Sequence, residues 1–271
     1  MNKVVLITGA SSGIGKATAQ LLAQNGYTVY GAARRLDKMK DLENLGVKTF
    51  VLDITDDTSV TNVVNRIIDA ENKIDILINN AGFGSYGAIE DVPIEDARYQ
   101  LEVNVFGAMR ITQQILPYMR KNGYGKIVNI SSIGGKVAFP LGSWYHASKF
   151  ALEALSDSLR NEVKQFGIDV IVIEPGGIKT EWGGIAAESA ARVSGHTAYR
   201  EMVSKFLNSF KKINESKVPE PVLIAKLIRQ SIEATTPKTR YSAGYMARQV
   251  LWGRKFLSDK AMDKIIAKQF K

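Results

Sequence analysis

Short apolar runs alternate with longer amphipathic segments along most of this chain of 271 residues. The apolar runs are rich in Val and Ile and lie near residues 3–8, 27–32, 47–52, 75–78, 126–131 and 168–173, with a seventh near 239–243. Runs of this length that barely alternate are typical of strands buried on both faces of a parallel sheet. We therefore expect an α/β fold, with one doubly wound parallel sheet of about seven strands and helices on both faces.

The alternation predicts a single domain over residues 1–271, and two segments depart from it. Residues 176–217 form a connection much longer than is usual between a strand and a helix, which favours a substrate lid. One apolar face recurs in it at helical spacing, through Tyr199, Met202, Val203, Phe206 and Phe210. Such a face can be core or pocket lining, and the sequence leaves both open. As candidate substrate contacts we select Phe139, Trp182, Met202 and Phe206.

The second departure is a basic amphipathic C-terminal extension, residues 237–271. Its nine Lys or Arg and two Asp carry +7 of the total formal charge of +9. Met262, Ile265, Ile266 and Phe270 share one helical face, so the extension could lie on anionic lipid. We favour packing on its own chain or a partner subunit, because the lysines surround the helix instead of gathering opposite that face.

Composition excludes several classes of site. The chain has no cysteine and only two histidines, which excludes disulfides and thiolate metal sites, and we expect no metal site. No apolar stretch approaches the roughly 20 residues of a membrane span. Met1 leads almost directly into the first predicted strand, so we expect no signal peptide and a cytoplasmic location.

A glycine-rich stretch, Thr8 to Gly15, joins the first predicted strand to the first helix. In this context glycines let the backbone approach a pyrophosphate, and the helix N-terminus offers free N–H groups to it. The spacing is G-x-x-x-G-x-G. We therefore expect a dinucleotide to contact Gly9, Ser11, Ser12, Gly13, Ile14 and Gly15.

The end of the second strand indicates which dinucleotide binds. Dehydrogenases for NAD(H) usually place a carboxylate about 20 residues after the glycines. Here Arg34 and Arg35 stand in that place, Lys16 can add positive charge, and the rival carboxylate Asp37 comes late. Guanidinium groups bind phosphate through paired, charge-assisted hydrogen bonds. We expect NADP(H), with NAD(H) less favoured, although either arginine could be a solvated surface residue.

Candidate acid–base chemistry lies in the run Tyr145-His146-Ala147-Ser148-Lys149. Residues four apart on a helix share a face, so the ammonium of Lys149 can lie beside the phenol of Tyr145 and favour its ionisation. Such a pair is more often an ordinary solvated helix face, and His146 is interpreted as an ordinary helix residue. The glycine loop elsewhere in the chain favours a catalytic role for this pair.

Together these motifs resemble the short-chain dehydrogenase/reductase family over nearly the whole chain. The matches are the Thr8–Gly15 loop, Asp53, Asn79-Asn80-Ala81-Gly82, Asn104, Ser132, Tyr145, Lys149 and Pro175-Gly176 with Thr180. The overall style of the sequence, including the run Pro237 to Tyr241, resembles the 17β-hydroxysteroid-dehydrogenase-like branch. The resemblance implies a Rossmann-type fold, oxidoreductase activity and a homodimer or homotetramer.

It also implies roles for individual residues. Ser132, thirteen positions before Tyr145, would hold the substrate oxygen, Tyr145 would transfer the proton, and Lys149 would also hold the nicotinamide ribose. Asn104 would hold a relay water, unless it is only a polar residue within a helix. Asp53 would contact the adenine, unless it only caps a helix. Further implied cofactor contacts are Ile54, Asn80, Ala81, Gly82, Pro175, Gly176, Ile178 and Thr180.

The expected reaction is interconversion of an alcohol and a ketone or aldehyde by hydride transfer. An apolar lipid-, retinoid- or steroid-like substrate fits the aromatic residues of the lid segment better than a sugar. Alternatives are a reductase of a small ketone or 3-oxoacyl substrate, a catalytically idle dinucleotide sensor, and an epimerase or dehydratase of the extended branch. We expect no nucleic-acid partner.

Overall fold

All seven predicted strands are present, and they form one parallel sheet. The computed structural model describes residues 3–212 and 217–269. Along the sheet the strand order is β3-β2-β1-β4-β5-β6-β7, and every neighbouring pair is parallel. The strands are β1 Val4–Thr8, β2 Thr28–Ala33, β3 Lys48–Val51, β4 Ile76–Asn79, β5 Gly125–Ile130, β6 Ile168–Pro175 and β7 Arg240–Ala243. The predicted fold class is confirmed.

Helices cover both faces of the sheet. They are α1 Gly13–Gln24, α2 Lys40–Glu43, α3 Asp57–Glu71, α4 Ile94–Leu101, α5 Ala108–Lys121, α6 Ser143–Val163, α7 Trp182–Ser194, α8 Arg200–Lys212, α9 Val222–Glu233, α10 Ala247–Phe256 and α11 Asp259–Gln269. Alternate residues of β1 point to opposite faces, so Leu6 packs with α3 and α5, whereas Ile7 packs with α1 and α9. This two-sided burial explains the continuous apolar runs.

The sheet order reverses between β1 and β4, which are hydrogen-bonded neighbours. In sheets of this kind the connections leave a crevice beyond the carboxyl ends of the strands at the reversal, where ligands bind. The glycine loop after β1 and the Asn80 loop after β4 border this crevice. The segments after β2, β3, β5 and β6 open onto the same edge.

The two segments outside the alternation are helical where described. The predicted lid contains α7 and α8, and residues 213–216 and the Phe210 side chain lie outside the described part. The C-terminal extension contributes β7, α10 and α11, with Phe270 and Lys271 likewise outside it. Among the described helices, none combines the length and the apolar composition required to cross a bilayer.

A buried ionic cluster joins α6, β6 and β7. The carboxylate of Glu153 lies 2.7 Å from Lys136 Nζ and 2.9 Å from Arg240 Nη2. Arg240 also lies 2.8 Å from Asp157 and 3.5 Å from Glu174. Burial, and then the charge of Glu153, raises the pKa of Glu174 to about 7, against the opposing effect of Lys136 and Arg240. Arg240 therefore compensates three carboxylates, two of them buried.

Removing this guanidinium should destabilise the fold. We expect Arg240→Ala to lower the free energy of unfolding by about 3 kcal/mol, because breaking a buried pair leaves uncompensated charge. Urea denaturation at pH 8 measures the change, since this pH is above the pKa of about 7 of Glu174. The control Arg229→Ala breaks an exposed pair with Glu233 on α9 and should shift the midpoint little. Equal midpoints for the two variants would contradict this account of the cluster.

Candidate active site

The glycine loop is built on close backbone contact. Gly9 and Gly13 have φ values of +69° and +54°, a region that side chains other than glycine rarely adopt. At Gly15, a methyl group would lie 2.4 Å from both the carbonyl oxygen of Gly9 and Asn80 Nδ2. Three glycines of the motif are thus required by backbone conformation and by the approach of the β4 loop.

The side chain of Asn80 fastens the loop after β4 to the loop after β1. Asn80 Nδ2 donates to the carbonyl oxygens of Thr8, at 2.9 Å, and Gly9, at 3.2 Å. In return, Thr8 Oγ1 accepts from the backbone N–H groups of Asn80 and Ala81, each at 3.0 Å. Asn80 therefore positions the loop through its own contacts, and Thr8, which sequence analysis did not select, is its partner.

The N-terminus of α1 has the properties of an anion site. Ser12 precedes the helix without a side-chain capping bond, and the first turn holds no carboxylate. Free N–H groups and the helix dipole favour a negative ligand at such an end. Ile14 packs into the core beneath the turn, whereas Ser11 and Ser12 face the guanidinium of Arg35.

The two arginines after β2 occupy different places. Arg35 Nη2 lies 3.0 Å from Ser12 Oγ and 3.0 Å from Glu181 Oε2, directly over the glycine loop. Arg34 Nη1 donates to the hydroxyl of Tyr99 at 2.8 Å. Lys16 instead pairs with Asp41 and Lys38 O, at 2.7 and 3.0 Å. Arg35 is therefore the cation nearest the predicted phosphate position, and Lys16 is engaged elsewhere.

Asp53 and Ile54 follow β3. Asp53 Oδ1 accepts from the backbone N–H and the hydroxyl of Thr55, at 2.9 and 2.7 Å. Burial opposes ionisation of Asp53, but these hydrogen bonds and the charge of Arg34 prevail and lower its pKa. Ile54 packs into the core against Gly107. Asp53 thus stays ionised beside Arg34 at the edge of the crevice.

The segment after β6 reaches back to the glycine loop. Pro175 ends the strand, and Gly176 lies so close to Tyr245 that a methyl group there would be 2.3 Å from its carbonyl oxygen. Ile178 packs into the core. Thr180 Cγ2 would lie 3.1 Å from a methyl group at Gly13, so the start of the predicted lid touches the start of α1.

Tyr145 and Lys149 lie buried on α6, one turn apart, with Lys149 Nζ 6.0 Å from the centre of the Tyr145 ring. Burial raises the pKa of Tyr145 to about 12, against an opposing hydrogen bond with Ser132. Burial lowers the pKa of Lys149 to about 8, against the charge of Glu153. Lys149 Nζ donates to the carbonyl oxygen of Ile130 at 2.8 Å. At pH 7 the pair therefore consists of a neutral phenol and an ammonium.

Ser132 begins the 3₁₀ turn Ile133–Gly135 after β5, and its Oγ accepts from the N–H of Gly134 at 3.0 Å. His146 Nδ1 lies 3.0 Å from the carbonyl oxygen of Gly134. Burial, opposed by this hydrogen bond, lowers the pKa of His146 to about 4, so the ring is neutral and Nδ1–H donates. His146, which we interpreted from the sequence as an ordinary helix residue, thus supports the turn that carries Ser132.

Asn104 lies within a π-helical segment, Glu102–Gly107, between α4 and α5. Its side chain accepts from the N–H of Phe83 at 3.1 Å and donates to the carbonyl oxygen of Phe83 at 3.0 Å. It also donates to Ser148 Oγ at 3.0 Å. An asparagine is unusual inside a helix, but here the side chain of Asn104 joins the Phe83 loop to α6, and it lies beside Gly82. The π-helical turn is a common feature of functional sites.

Aromatic residues surround the Tyr145 ring. Tyr86 stacks on Phe206 with ring centroids 5.5 Å apart, and Trp182 lies 5.1 Å from Tyr145. Met202 packs against the same cluster. Phe139 lies apart from it, packed with Val137 and the C-terminal helices, although its ring is 5.6 Å from His146. Three of the four predicted substrate contacts, Trp182, Met202 and Phe206, thus lie in one cluster, whereas Phe139 packs in another.

Sequence analysis missed Tyr86, Tyr99 and Glu181. Tyr86 lies at the centre of the aromatic cluster, and Glu181 is the counterion of both Arg35 and Lys38. No periodicity marks these residues, because each is brought to the site by a loop or helix end distant in sequence. Cations near a phosphate site usually have a counterion in the free protein. That general expectation is the one signal that could have suggested Glu181.

Comparison with known proteins agrees with this architecture. A family model described as short chain dehydrogenase matches residues 3–189. A 3-ketodihydrosphingosine reductase of Bacteroides thetaiotaomicron is 38% identical over 93% of this chain and 91% of that protein. An NADPH-dependent 3-dehydrocapnine reductase of Ornithobacterium rhinotracheale is 34% identical over 99% of this chain and 98% of that protein.

A solved structure of a short-chain dehydrogenase from Streptomyces avermitilis superposes with a TM-score of 0.81 and 32% identity, covering 99% of this chain and 95% of that one. The likeness in sequence and in fold extends beyond the segment that the family model matches. On these grounds the chain belongs to the short-chain dehydrogenase family of oxidoreductases.

Proposed function

We propose that the chain is an NADP(H)-dependent reductase or dehydrogenase that interconverts an apolar ketone or aldehyde and the corresponding alcohol. The observation that carries the proposal is the arrangement of Ser132, Tyr145 and Lys149 around one buried point. A buried phenol beside a buried ammonium, with a serine hydroxyl in hydrogen-bond contact, is the equipment for proton transfer to a carbonyl oxygen.

The residues at the carboxyl edge fit a dinucleotide with a 2'-phosphate. The cradle over Gly9, Gly13 and Gly15 has no room for side chains, the end of α1 favours an anion, and Arg35 lies over the loop. When bound, the nicotinamide group supplies the hydride. The relative from Ornithobacterium rhinotracheale, whose name specifies NADPH, supports the same preference.

In the direction of reduction, Tyr145 donates the proton to the substrate oxygen. The raised pKa keeps the phenol protonated, and the nearby Lys149 ammonium stabilises the phenolate as it forms. In the direction of oxidation the same cation assists loss of the phenol proton. Lys149 also supplies donors for ribose hydroxyls at the entrance of the glycine loop, and the relay water at Asn104 stays a prediction.

Ser132 is oriented to donate. Its Oγ already accepts from the N–H of Gly134, which leaves the hydroxyl proton for another acceptor. The Ser132 hydroxyl acts to lower the pKa of Tyr145, against the larger effect of burial, which supports a position beside the phenol. A substrate oxygen between the two hydroxyls would be held at the point where the proton arrives.

The substrate is proposed to be an apolar, lipid-like ketone or alcohol. The cluster of Tyr86, Tyr145, Trp182 and Phe206 offers aromatic surface and no charge beside the reacting position. The relative from Bacteroides thetaiotaomicron is named a 3-ketodihydrosphingosine reductase, and this name specifies a ketone. A homodimer or homotetramer and a cytoplasmic location belong to the same proposal, and exposed Phe106 and Phe150 are surfaces that a second subunit could cover.

A direct test compares turnover of a panel of ketones and alcohols with both cofactors. Turnover of apolar ketones with NADPH is expected. Cofactor binding without any turnover would favour the idle sensor, and a preference for small or 3-oxoacyl ketones would replace the substrate class while leaving the chemistry intact.

Replacing the proton donor should abolish turnover without harming the fold. Tyr145→Phe removes one hydroxyl, so we expect kcat to fall by about 10²- to 10⁴-fold while the dissociation constant for NADPH changes little. Steady-state kinetics and fluorescence titration measure the two quantities. Tyr27→Phe, which removes a hydroxyl bonded to Glu233 outside the site, is the control and should keep full activity. Turnover near that of the wild type in Tyr145→Phe would remove the assignment.

The arginines should determine cofactor preference. Arg34→Asp places a carboxylate where it repels a 2'-phosphate and can accept from ribose hydroxyls, so the ratio of kcat/KM for NADPH to that for NADH should fall about 10- to 100-fold. Arg35→Ala should weaken NADPH binding and leave NADH binding nearly unchanged. Arg229→Ala on α9 is the control. A wild-type preference for NADH would show that the interpretation of both arginines is wrong.

The ammonium of Lys149 should set the alkaline limb of activity. With its pKa at about 8, kcat/KM for reduction is expected to fall about tenfold per pH unit above that value, because the free enzyme loses the cation. Glu153→Gln removes a carboxylate that raises this pKa and should move the limb to lower pH. Asp157→Asn, in the same ionic cluster but one turn farther along α6, is the matched control. An unmoved limb in Glu153→Gln would exclude Lys149 as its origin.

A further inference from the structure

The C-terminal helices turn most of their predicted apolar face inward. Met262 and Ile266 are buried against Val137, with Val250 and Leu257 beside them. Ile265, by contrast, is 46% exposed. The apolar face predicted for lipid contact is therefore partly buried in the protein and partly exposed. Helix α11 by itself presents little apolar surface to solvent.

A different surface is left open, on the outer side of α10. Trp252 and Phe256 are 61% and 60% exposed, and their ring centroids are 5.1 Å apart. Arg248 precedes them at the same four-residue spacing, so the three lie along one side of the helix. Two adjoining large aromatic side chains in water indicate an interaction site more than scattered apolar residues do.

Cations are frequent on the same two helices, α10 and α11. Arg248, Lys255, Lys260, Lys264 and Lys268 are all exposed, and within residues 3–212 and 217–269 none has a carboxylate at ion-pair distance. Arg254 does pair, with Asp259 at 2.5 Å. Unpaired cations on the same helices as exposed aromatic rings complement a surface that has an anionic outer layer above an apolar layer.

We propose that Arg248, Trp252, Lys255, Phe256 and Lys260, here called the docking face, bind the surface of an anionic lipid bilayer. Trp and Phe insert at the boundary between headgroups and acyl chains, while Lys and Arg meet lipid phosphates. A subunit interface fits less well, because closing it over several unpaired cations would require their desolvation without a matching charge.

The docking face lies next to the candidate active site. The opposite side of α10 contacts the Ile133–Gly135 turn, which directly follows Ser132. A helix with its side chains is about 10 Å thick, so a bilayer on the docking face would lie about that distance from the turn. This part of the inference rests on the proposed function: an apolar ketone dissolved in the bilayer would reach the site without crossing water.

Vesicle sedimentation tests the docking face in the full-length protein. Wild-type protein should sediment with vesicles of phosphatidylcholine and phosphatidylglycerol in low salt, hardly bind pure phosphatidylcholine, and be released by added salt. Lys255→Gln with Lys260→Gln should weaken partitioning about 25-fold, at about fivefold for each basic residue. The matched control, Lys121→Gln with Lys226→Gln, removes two exposed charges elsewhere and should lose far less.

Tryptophan fluorescence tests insertion independently of charge. Lipids brominated near the headgroup should quench wild-type fluorescence, and Trp252→Phe should lose that quenching while Trp144 and Trp182 continue to emit. The double variant Trp252→Ala with Phe256→Ala should no longer sediment, although reduction of a small water-soluble ketone should continue unchanged. Leu223→Ala, an exposed apolar residue on α9, is the control for loss of apolar surface.

Three outcomes would overturn the inference: no sedimentation of wild-type protein at any salt, sedimentation unaffected by the α10 variants, or a change of oligomer mass in light scattering when Trp252 and Phe256 are replaced. The last would assign the surface to a subunit contact. Because sedimentation, quenching and light scattering do not use turnover, failure of the proposed reaction would leave vesicle binding intact, and failure of vesicle binding would leave the reaction intact.

Discussion

The candidate site depends on one contact between two loops, the clasp of Asn80 on the carbonyl oxygens of Thr8 and Gly9. The clasp exists because β1 and β4 are neighbours where the sheet order reverses, so their carboxyl ends emerge side by side. It also determines the glycines, since side chains at Gly9 or Gly15 would occupy the space of the Asn80 amide. The end of α1 is thereby held at the crevice where we propose that the cofactor binds.

Burial shifts the pKa values of Tyr145 and Lys149, and it also makes the charge of Lys149 costly to hold. The same desolvation raises the pKa of Tyr145 and lowers that of Lys149, so that a protonated phenol and an ammonium lie together at neutral pH. An ammonium in that environment needs negative charge nearby, and Glu153 supplies it one turn along α6. Glu153 must itself be compensated, by Lys136 and Arg240. The ionic cluster is thus the electrostatic support of the proton-transfer pair.

The sequence predicted the fold and the centre of the site because both follow from local patterns. Strand periodicity needs only neighbouring residues, and the spacing from Tyr145 to Lys149 places both on one helix face. It could not show that Asn80 acts on the glycine loop, that Phe139 packs away from the lid, or that Glu181 pairs with Arg35. These contacts join residues distant along the chain, and their geometry depends on how helices and loops pack, which composition and spacing do not encode.

The residues outside the regular alternation enclose the site from two directions. Helix α7 of the predicted lid brings Trp182 to Tyr145, and the C-terminal extension packs Met262 against Val137, beside Phe139. The residues that we propose for proton transfer, Tyr145 and Lys149, lie on α6, outside both walls. Because the chemistry is held by strand ends and by α6, these walls can change in shape and polarity without disturbing it. We therefore expect substrate choice to depend mainly on the segments that the sequence pattern describes least well.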